Sequence, residues 1–365
     1  MAVADEMYLT YMGQGGSKIA QSEIWACPEV ETYLTGIDYF DHPQESRKKM
    51  NRLYPRLNLP VPDTDNSIPR PKLGGEVSSD REAHVVRWGD STTGTFQHGE
   101  AFFKDPEEVF RFSPLEHADF TAWEHVVANL DYSSEEVLHQ QFRKDYPVEW
   151  GDKAPEGSTA GVGFYNTMFM WPMLTFGWEL FLECCLDTRF ERIMDEFAEL
   201  NRRAFRAFAR LPVNFVHCHD DIVMTRGPVC SPEWMHKYIF PRYEEFWSIV
   251  KATGKEVIFT VDGCVDAFAD NVFACGARGI VSEPYTNYKR LARKYKDCVL
   301  SGEGDNRVLN RNDPEEIKKM VESMVETGRM SRGYILSVGN HIPWNVNPEG
   351  VKRYLDLTDQ LGYRS

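Results

Sequence analysis

Short apolar segments alternate with amphipathic segments through the second half of the chain, and this alternation limits the fold more than any other feature. Five of the short segments are apolar at odd and even positions alike, which is typical of strands covered on both faces. Strands that alternate with helices pair in parallel, so the pattern predicts an α/β fold with a parallel sheet. The predicted strands cover residues 214–219, 256–261, 279–282, 298–301 and 334–338, and the helices between them cover residues 234–251, 266–275, 288–295 and 314–327.

Four helices have recognisable first residues. In each, a side chain able to accept a hydrogen bond precedes a proline, and glutamate follows in the first turn. The first side chain caps the helix, proline suits a position without an intrahelical partner, and glutamate interacts favourably with the helix dipole. The four starts are Asp105-Pro106, Ser231-Pro232, Asp313-Pro314 and Asn347-Pro348. The pattern also predicts helices at residues 43–57, 132–142 and 178–211, and a two-stranded ribbon at residues 83–89 and 92–98.

Length and charge exclude several classes of protein. A chain of 365 residues is long enough for one closed barrel or two smaller domains. Its net charge of −15, without a basic patch, argues against nucleic-acid and membrane-surface partners. Eight cysteines without a Cys-x-x-Cys pair and an acidic N-terminus predict a reduced, cytoplasmic protein. The uncharged residues 158–178 contain Gly, Asn and Pro, which predicts buried core or a pocket wall rather than a membrane span.

Polar residues follow each of the five predicted strands. A closed parallel barrel gathers the residues after its strands at one mouth, where barrel enzymes place their chemistry. Capping of the next helix is the alternative role for any one of these side chains. Gly263, Gly302 and Gly304 favour the ligand role, because glycine lets a ligand approach the backbone closely. The polar residues are Asp220, Asp221, Asp262, Glu283, Glu303, Asp305, Asn340 and His341.

Several sequence motifs resemble one family. They are VIFTVDGCVDAFADNVFACGARGIVSEPYTNYKRL, LSGEGDNRVLNRNDPEEIKKMVESMVETG and GYILSVGNHIPWNVNPEGVKRYLDL, preceded by HDDIVMTRGPVCSPEWMHKYIFPRYEEF and, more faintly, by Arg87-Trp88-Gly89-Asp90. In this order they resemble the uroporphyrinogen decarboxylase superfamily, including its corrinoid-dependent methyltransferases. The resemblance covers residues 85–360 and implies a single (β/α)8 TIM-type barrel at residues 85–365, on which an irregular N-terminal extension, residues 1–84, packs.

The sequence departs from the two best-known branches of that superfamily. The decarboxylases carry a Gln-x-Gly-Arg loop that holds the acidic side chains of a tetrapyrrole, and residues 1–60 lack it. The thiol-methylating branch binds zinc with His-x-Cys-Gly and a later cysteine, whose positions match Thr260, Asp262 and Asn340 here. The usual zinc motif is therefore absent, although zinc held by other residues stays open.

The resemblance then implies a methyltransferase of the O-demethylase type. Such an enzyme takes a methyl group from a small O-methylated donor, here a methoxylated aromatic, and passes it to the cobalt of a corrinoid (cobalamin) on a partner protein. Because cobalt(I) is a strong nucleophile, the enzyme must position the methyl group and stabilise charge on the leaving oxygen. A carboxylic acid, a histidine or a metal ion could stabilise that charge. The alternatives are a decarboxylase or lyase acting on a non-porphyrin acid, and a non-catalytic protein that binds a corrinoid or a small molecule; a homodimer is also left open.

The residues expected to perform this chemistry lie after the predicted strands or beside them. The aromatic residues Phe164 and Trp171 are expected to add apolar pocket walls. The catalytic candidates are Asp221, Asp262, Glu283, Asp305 and His341. The substrate-binding candidates are His219, Asp220, Tyr165, Tyr285, Asn340 and Trp344. A metal, where one binds, is expected to take its ligands from Asp262, Glu283, His219 and His341.

Overall fold

The structure, a computed structural model, describes residues 3–70, 84–88, 91–95, 103–118, 130–165, 167–344 and 346–365. The strands are β1 (Ala20–Gln21), β2 (His84–Trp88), β3 (Ser91–Thr95), β4 (Gly161–Tyr165), β5 (Phe215–His219), β6 (Val223–Met224), β7 (Gly227–Pro228), β8 (Glu256–Thr260), β9 (Gly279–Val281), β10 (Val299–Ser301) and β11 (Tyr334–Leu336). The helices are α1 (Val3–Tyr11), α2 (Pro28–Thr35), α3 (Pro43–Leu53), α4 (Pro106–Arg111), α5 (Glu135–Arg143), α6 (Met170–Phe176), α7 (Trp178–Cys184), α8 (Phe190–Ala209), α9 (Pro232–Tyr238), α10 (Phe240–Lys251), α11 (Ala269–Ala274), α12 (Tyr288–Lys294), α13 (Asn306–Arg311), α14 (Pro314–Met330) and α15 (Pro348–Leu361).

The main sheet has seven strands in the order β1-β11-β10-β9-β8-β5-β4. Its pairs β4–β5, β5–β8, β10–β11 and β1–β11 are parallel. Helices follow most of the strands along the chain. The predicted α/β fold is therefore confirmed, and the sheet is consistent with a TIM-type barrel. The predicted ribbon is present as the antiparallel pair β2–β3.

Contacts within the chain define two compact units. The terminal unit comprises residues 1–97 and 281–365, and the central unit comprises residues 98–280. The expected boundary between an N-terminal extension and a barrel at residue 85 stays a prediction. Within the described residues, no helix is both long and apolar enough to span a membrane.

The core of the central unit is aromatic. Phe164, on β4, is 2% exposed and packs against Phe205 and Phe208 of α8, with ring centroids 5.7 and 5.2 Å apart. Trp171 is fully buried, and its ring lies 5.4 Å from that of Phe197. These side chains fill the layer between the sheet and α8, so the expectation that Phe164 and Trp171 wall a pocket was wrong. The prediction that much of the uncharged stretch is core was correct.

All four predicted helix starts are confirmed. Asp105 accepts a hydrogen bond from the backbone N–H of residue 108, and Ser231 from that of Trp234. Asp313 and Asn347 each accept two backbone N–H groups, at 2.9 and 3.0 Å and at 3.0 and 3.2 Å. The first backbone N–H groups of a helix have no partner within the helix, and each capping side chain accepts a hydrogen bond from one or two of them.

Three predicted helices end earlier or break. Residues 178–211 form α7 and α8, because the side chain of Asp187 accepts the backbone N–H of Arg189 at 2.9 Å and closes a turn between them. Residues 234–251 divide into α9 and α10, and Pro241, in the first turn of α10, has no N–H to continue the preceding helix. Helix α3 ends at Leu53, because Tyr54 precedes a proline, which disfavours the helical conformation, and Tyr54 has a non-helical ψ of 71°.

The terminal unit contains a strand that the sequence did not indicate. Strand β1 has only two residues, Ala20 and Gln21, which pair with Ile335 and Leu336 of β11. Just after it, Glu23 is 8% exposed and accepts hydrogen bonds from the hydroxyl of Tyr354 at 2.7 Å and from a backbone N–H at 3.0 Å. A two-residue strand is too short to show periodicity, so its detection required the partner strand.

Candidate active site

Three neighbouring strands of the central unit end at the same level. Tyr165, the last residue of β4, pairs with His219, the last residue of β5, and His219 pairs with Thr260, the last residue of β8. Residues in register on parallel strands face the same side. Asp221 and Asp262 each follow two residues after the end of β5 and β8. The register therefore brings together side chains that are 97 residues apart in sequence, from Tyr165 to Asp262.

His219, Asp221 and Asp262 form a tight polar group, which we call the His219 cluster. Nε2 of His219 lies 3.0 Å from Oδ1 of Asp221, and the same oxygen accepts the backbone N–H of Asp262 at 2.7 Å. The potential ligand atoms of the three side chains all lie within 4.8 Å of one another. The side chains of His219 and Asp221 are 19% and 23% exposed, so a small molecule can reach them. The structure thus groups two catalytic candidates with one substrate-binding candidate.

The electrostatics of this cluster favour positive charge. Burial lowers the pKa of His219, but the hydrogen bond and charge of Asp221, with the charges of Asp262 and Asp220, outweigh burial and raise it above its usual value. Burial raises the pKa of Tyr165 to about 12, with further contributions from Asp221 and Asp262. The edge of the Tyr165 ring meets the His219 ring, with centroids 4.2 Å apart. At neutral pH Tyr165 is therefore a neutral wall beside an acidic cluster that attracts a cation or a proton.

Asp220 has a structural role instead of the predicted substrate-binding one. It is fully buried, and its two oxygens accept hydrogen bonds at 2.6 to 2.8 Å. No lone pair directed at solvent is left for a substrate, so this prediction was wrong. Alternation along β5 directs Asp220 away from the face that carries His219. The donors are the hydroxyls of Thr167 and Tyr243 and the backbone N–H groups of Met168, Phe169 and Met170.

His217 lies two residues before His219 on the same face of β5, because successive side chains of a strand point to opposite faces. Burial lowers the pKa of His217 to about 4, so its ring is neutral at pH 7. A Cβ atom at Gly161 would lie 2.9 Å from the His217 ring, whereas a Cβ atom at Gly163 would meet no atom within 4 Å. Gly161 therefore makes room for His217, and Gly163 leaves open space on this face. The alternating glycines of β4 were a signal of this space that the sequence reasoning missed.

The remaining candidate residues lie in the terminal unit. Asp305 caps α13 by accepting the backbone N–H of Arg307 at 2.8 Å, and it pairs with the Arg307 guanidinium at 2.8 Å. Burial raises the pKa of Asp305, but these hydrogen bonds prevail and lower it. The guanidinium carbon lies 4.9 Å from the centre of the Tyr285 ring, and the charge of Glu283 also acts on it. Arg307 was not predicted, although a basic residue two positions after an N-cap aspartate is well placed for this pairing.

Asn340 and His341 contact each other in the loop after β11. Nδ1 of His341 lies 2.6 Å from Oδ1 of Asn340, and burial lowers the pKa of His341. Asn340 has a positive φ of 60°, a conformation that asparagine tolerates better than most residues. Its conformation is sufficient reason for asparagine at this position. The expectation that five polar groups from both units meet at one mouth stays a prediction.

Trp344 lines a cavity of about 460 Å³ in the terminal unit. The centre of its ring lies 5.9 Å from that of the Phe40 ring. The guanidinium carbon of Arg70 also contacts Phe40, at 4.8 Å from the centre of the ring. The volume and aromatic walls suit a small aromatic molecule. Residues that share this cavity include Trp25, Tyr39, Phe40, Arg47, Arg70 and Trp344.

The residues available for zinc differ from those of the thiol-methylating branch. Of the three matching positions, Thr260 and Asn340 offer no charged ligand, so that site does not fit zinc. In contrast, His219, Asp221 and Asp262 supply one imidazole and two carboxylates, a donor set that suits a divalent metal ion. A second group, His42, Glu45 and Asp65, is exposed. In this group Asp65 accepts hydrogen bonds from the backbone N–H groups of Gln44 and Glu45, at 2.8 and 3.0 Å. Asp65 therefore caps the start of α3, and this role explains its position.

Comparisons with known proteins agree with this fold. Residues 180–361 match the family model described as uroporphyrinogen decarboxylase (URO-D). No curated protein matches the chain. Among solved structures, a methyltransferase from Methanosarcina mazei is similar, with a TM-score of 0.57 and 13% identity over 99% of each chain. Identity this low shows a shared fold alone. Residues 180–361 are therefore similar to the uroporphyrinogen decarboxylase family, and the solved structure shows that the fold is shared.

Proposed function

We propose that this protein is a methyltransferase that moves a methyl group from a small methoxylated aromatic donor to the cobalt of a corrinoid carried by a partner protein. The observation that carries the proposal is the His219 cluster, placed at the carboxyl ends of β5 and β8 beside the Tyr165 ring. Barrel enzymes position their reactive groups at these strand ends. The fold shared with a methyltransferase supports methyl transfer as the class of reaction. The dependence on a corrinoid is part of the proposal.

The reaction breaks the bond between the methyl carbon and the ether oxygen. The corrinoid on its carrier would supply the cobalt(I) nucleophile that takes the methyl group. The electron pair of the broken bond stays on the oxygen, and the product is a phenol once a proton is added. A phenol has a pKa of about 10, so the charge on the departing oxygen must be stabilised for fast transfer at neutral pH.

The His219 cluster is suited to that task. The raised pKa of His219 increases the protonated fraction of its ring, and an imidazolium transfers a proton favourably to a phenolate. Asp221 orients the ring through the 3.0 Å contact with Nε2. The two carboxylates can instead hold a cation that contacts the same oxygen.

An aromatic donor is favoured by the walls that the structure offers. Tyr165 lies beside the cluster in the central unit, and Gly163 leaves space on the same face of β4. In the terminal unit, the cavity at Trp344 has the volume of a drug-sized ligand site. Stacking on such rings would hold a flat donor in a fixed orientation, which speeds a displacement that requires alignment.

The proposal is tested by incubating the protein with a panel of methoxyarenes and a reduced corrinoid protein. We expect the absorbance of a methylated corrinoid to appear together with the corresponding phenol in equal amounts. No transfer across the panel would refute the proposal. Release of carbon dioxide from an acid without any corrinoid would identify a lyase, and tight binding without turnover would identify a binding protein.

A further inference from the structure

We propose that His219, Asp221 and Asp262 bind one divalent transition-metal ion, for which Zn²⁺ is the reference probe. The three side chains come from the ends of two adjacent parallel strands, β5 and β8, in the central unit. They combine one imidazole nitrogen with two carboxylates, the ligand types found in catalytic zinc sites that keep an open position.

The distances permit coordination after small side-chain rotations. Two ligands that are each about 2.1 Å from a metal ion lie at most about 4.2 Å apart. The ligand atoms of the cluster lie within 4.8 Å of one another, so a shift of several tenths of an ångström brings them into range. Partial exposure of His219 and Asp221, at 19% and 23%, provides the path for the ion and the position for a further ligand.

The surroundings hold the ligands in place, as a metal site requires. Oδ1 of Asp221 accepts the backbone N–H of Asp262, which leaves Oδ2 to the ion; within the described residues, Oδ2 accepts no hydrogen bond. Asp220, between two of the ligands, is fixed by five donors. Tyr165 restrains the His219 ring from the side. Such outer contacts orient metal ligands and contribute to affinity.

The bound ion would also have a role in the proposed methyl transfer. This role rests on the proposed function, whereas the metal site itself does not. The ion would replace the proton on the coordinating nitrogen of His219, and it would accept the ether oxygen of the donor as a further ligand. The ion would then stabilise the negative charge on that oxygen when the bond to the methyl group breaks. The phenolate would leave after protonation by water.

The test measures metal directly. The purified protein is stripped with EDTA, equilibrated with Zn²⁺, desalted and analysed for metal by mass spectrometry. We expect about one ion per chain in the wild type and about a tenfold or greater loss in Asp262→Asn and in His219→Gln. The variant His42→Gln serves as the matched control and should retain full metal content. His42 belongs to the second, exposed group, in which Asp65 caps helix α3.

Two further readouts make the result independent of folding. Circular dichroism and thermal melting of each stripped variant establish whether it is folded. Co²⁺ added to the stripped wild type should give visible ligand-field bands that Asp262→Asn lacks and His42→Gln keeps. Absence of retained metal in the wild type, or equal retention in Asp262→Asn, would overturn the site.

The outcomes separate this inference from the proposed function. Bound metal that depends on the cluster, without methyl transfer to any donor, supports the site and refutes the methyltransferase. Full methyl transfer by protein that holds no metal overturns the site and leaves the methyltransferase intact, with His219 as the acid.

Discussion

At the scale of single residues, neighbouring aspartates have opposite roles. Asp220 is fully buried and saturated by donors, whereas Asp221 is half-buried and reaches the cluster. The sequence places both after a strand and cannot distinguish them, because the role of Asp220 depends on donors that lie 23 to 53 residues away in sequence, such as Tyr243 and Thr167. The helix caps, in contrast, were predictable because every atom of a cap lies within three residues.

Replacement of Asp220 should reduce stability. Asp220→Asn keeps one acceptor oxygen and turns an amide toward groups that donate, so several buried donors lose their partner. We expect the free energy of unfolding in urea to fall by about 2–4 kcal/mol. The exposed Asp41→Asn is the control and should change it by less than about 0.5 kcal/mol. Equal effects of the two variants would contradict the structural role of Asp220.

Glu23 should make stability depend on pH. Burial raises its pKa to about 7, against hydrogen bonds from Tyr354, Val338 and Gln21 that lower it. The folded state thus keeps a proton that the unfolded state releases near pH 4.5, the ordinary value. The stabilisation is full below about pH 4.5 and is lost as pH rises to about 7, a change of about 3 kcal/mol.

The measurement is a comparison of urea unfolding for wild type and Glu23→Gln from pH 4 to pH 8. The variant cannot titrate at this position. The free energy of unfolding of the wild type should therefore fall relative to that of the variant as pH rises through that window. A difference that stays constant across the range would show that Glu23 has an ordinary pKa.

At the scale of elements, the sequence indicated the existence of strands and helices better than their limits. Strand 214–219 was predicted one residue too long at its start, and strand 256–261 was predicted one residue too long at its end, where the apolar pattern continues through Val261. The break at Asp187 was missed because amphipathic periodicity continues through it. Strand β4 was missed because its glycines hide the apolar pattern that marks the other strands.

The turn after β10 should not accept a side chain. Gly302 has a φ of 107°, and a Cβ atom there would lie 1.7 Å from the carbonyl oxygen of Ser282. We expect Gly302→Ala to lower the unfolding free energy by about 2–4 kcal/mol. Gly163→Ala, where the Cβ meets nothing, is the comparison and should be nearly neutral. The same thermal-melting midpoint for both variants would disprove the close approach at Gly302.

At the scale of the whole molecule, the strand–helix alternation and the motifs predicted the fold class and the superfamily. The family match over residues 180–361 agrees with the predicted superfamily, and the similar solved structure agrees with the fold class. The identities of the proposed methyl donor and of the proposed partner protein could not be predicted, because they depend on contacts with other molecules. For the proposed partner protein, the net charge of −15 favours one with a complementary basic face, and its coupling to this chain should then weaken at high salt.

The most direct test of the account measures methyl transfer by Asp262→Asn and Glu283→Gln beside the wild type, with a methoxyarene and a reduced corrinoid protein. Asp262 belongs to the His219 cluster, and Glu283 is one of the catalytic candidates in the terminal unit, where its charge acts on Arg307. We expect Asp262→Asn to retain its fold and to lose about 10²-fold or more in rate, and we expect Glu283→Gln to be slower as well. Wild-type rates in Asp262→Asn would contradict the claim that the His219 cluster carries the chemistry.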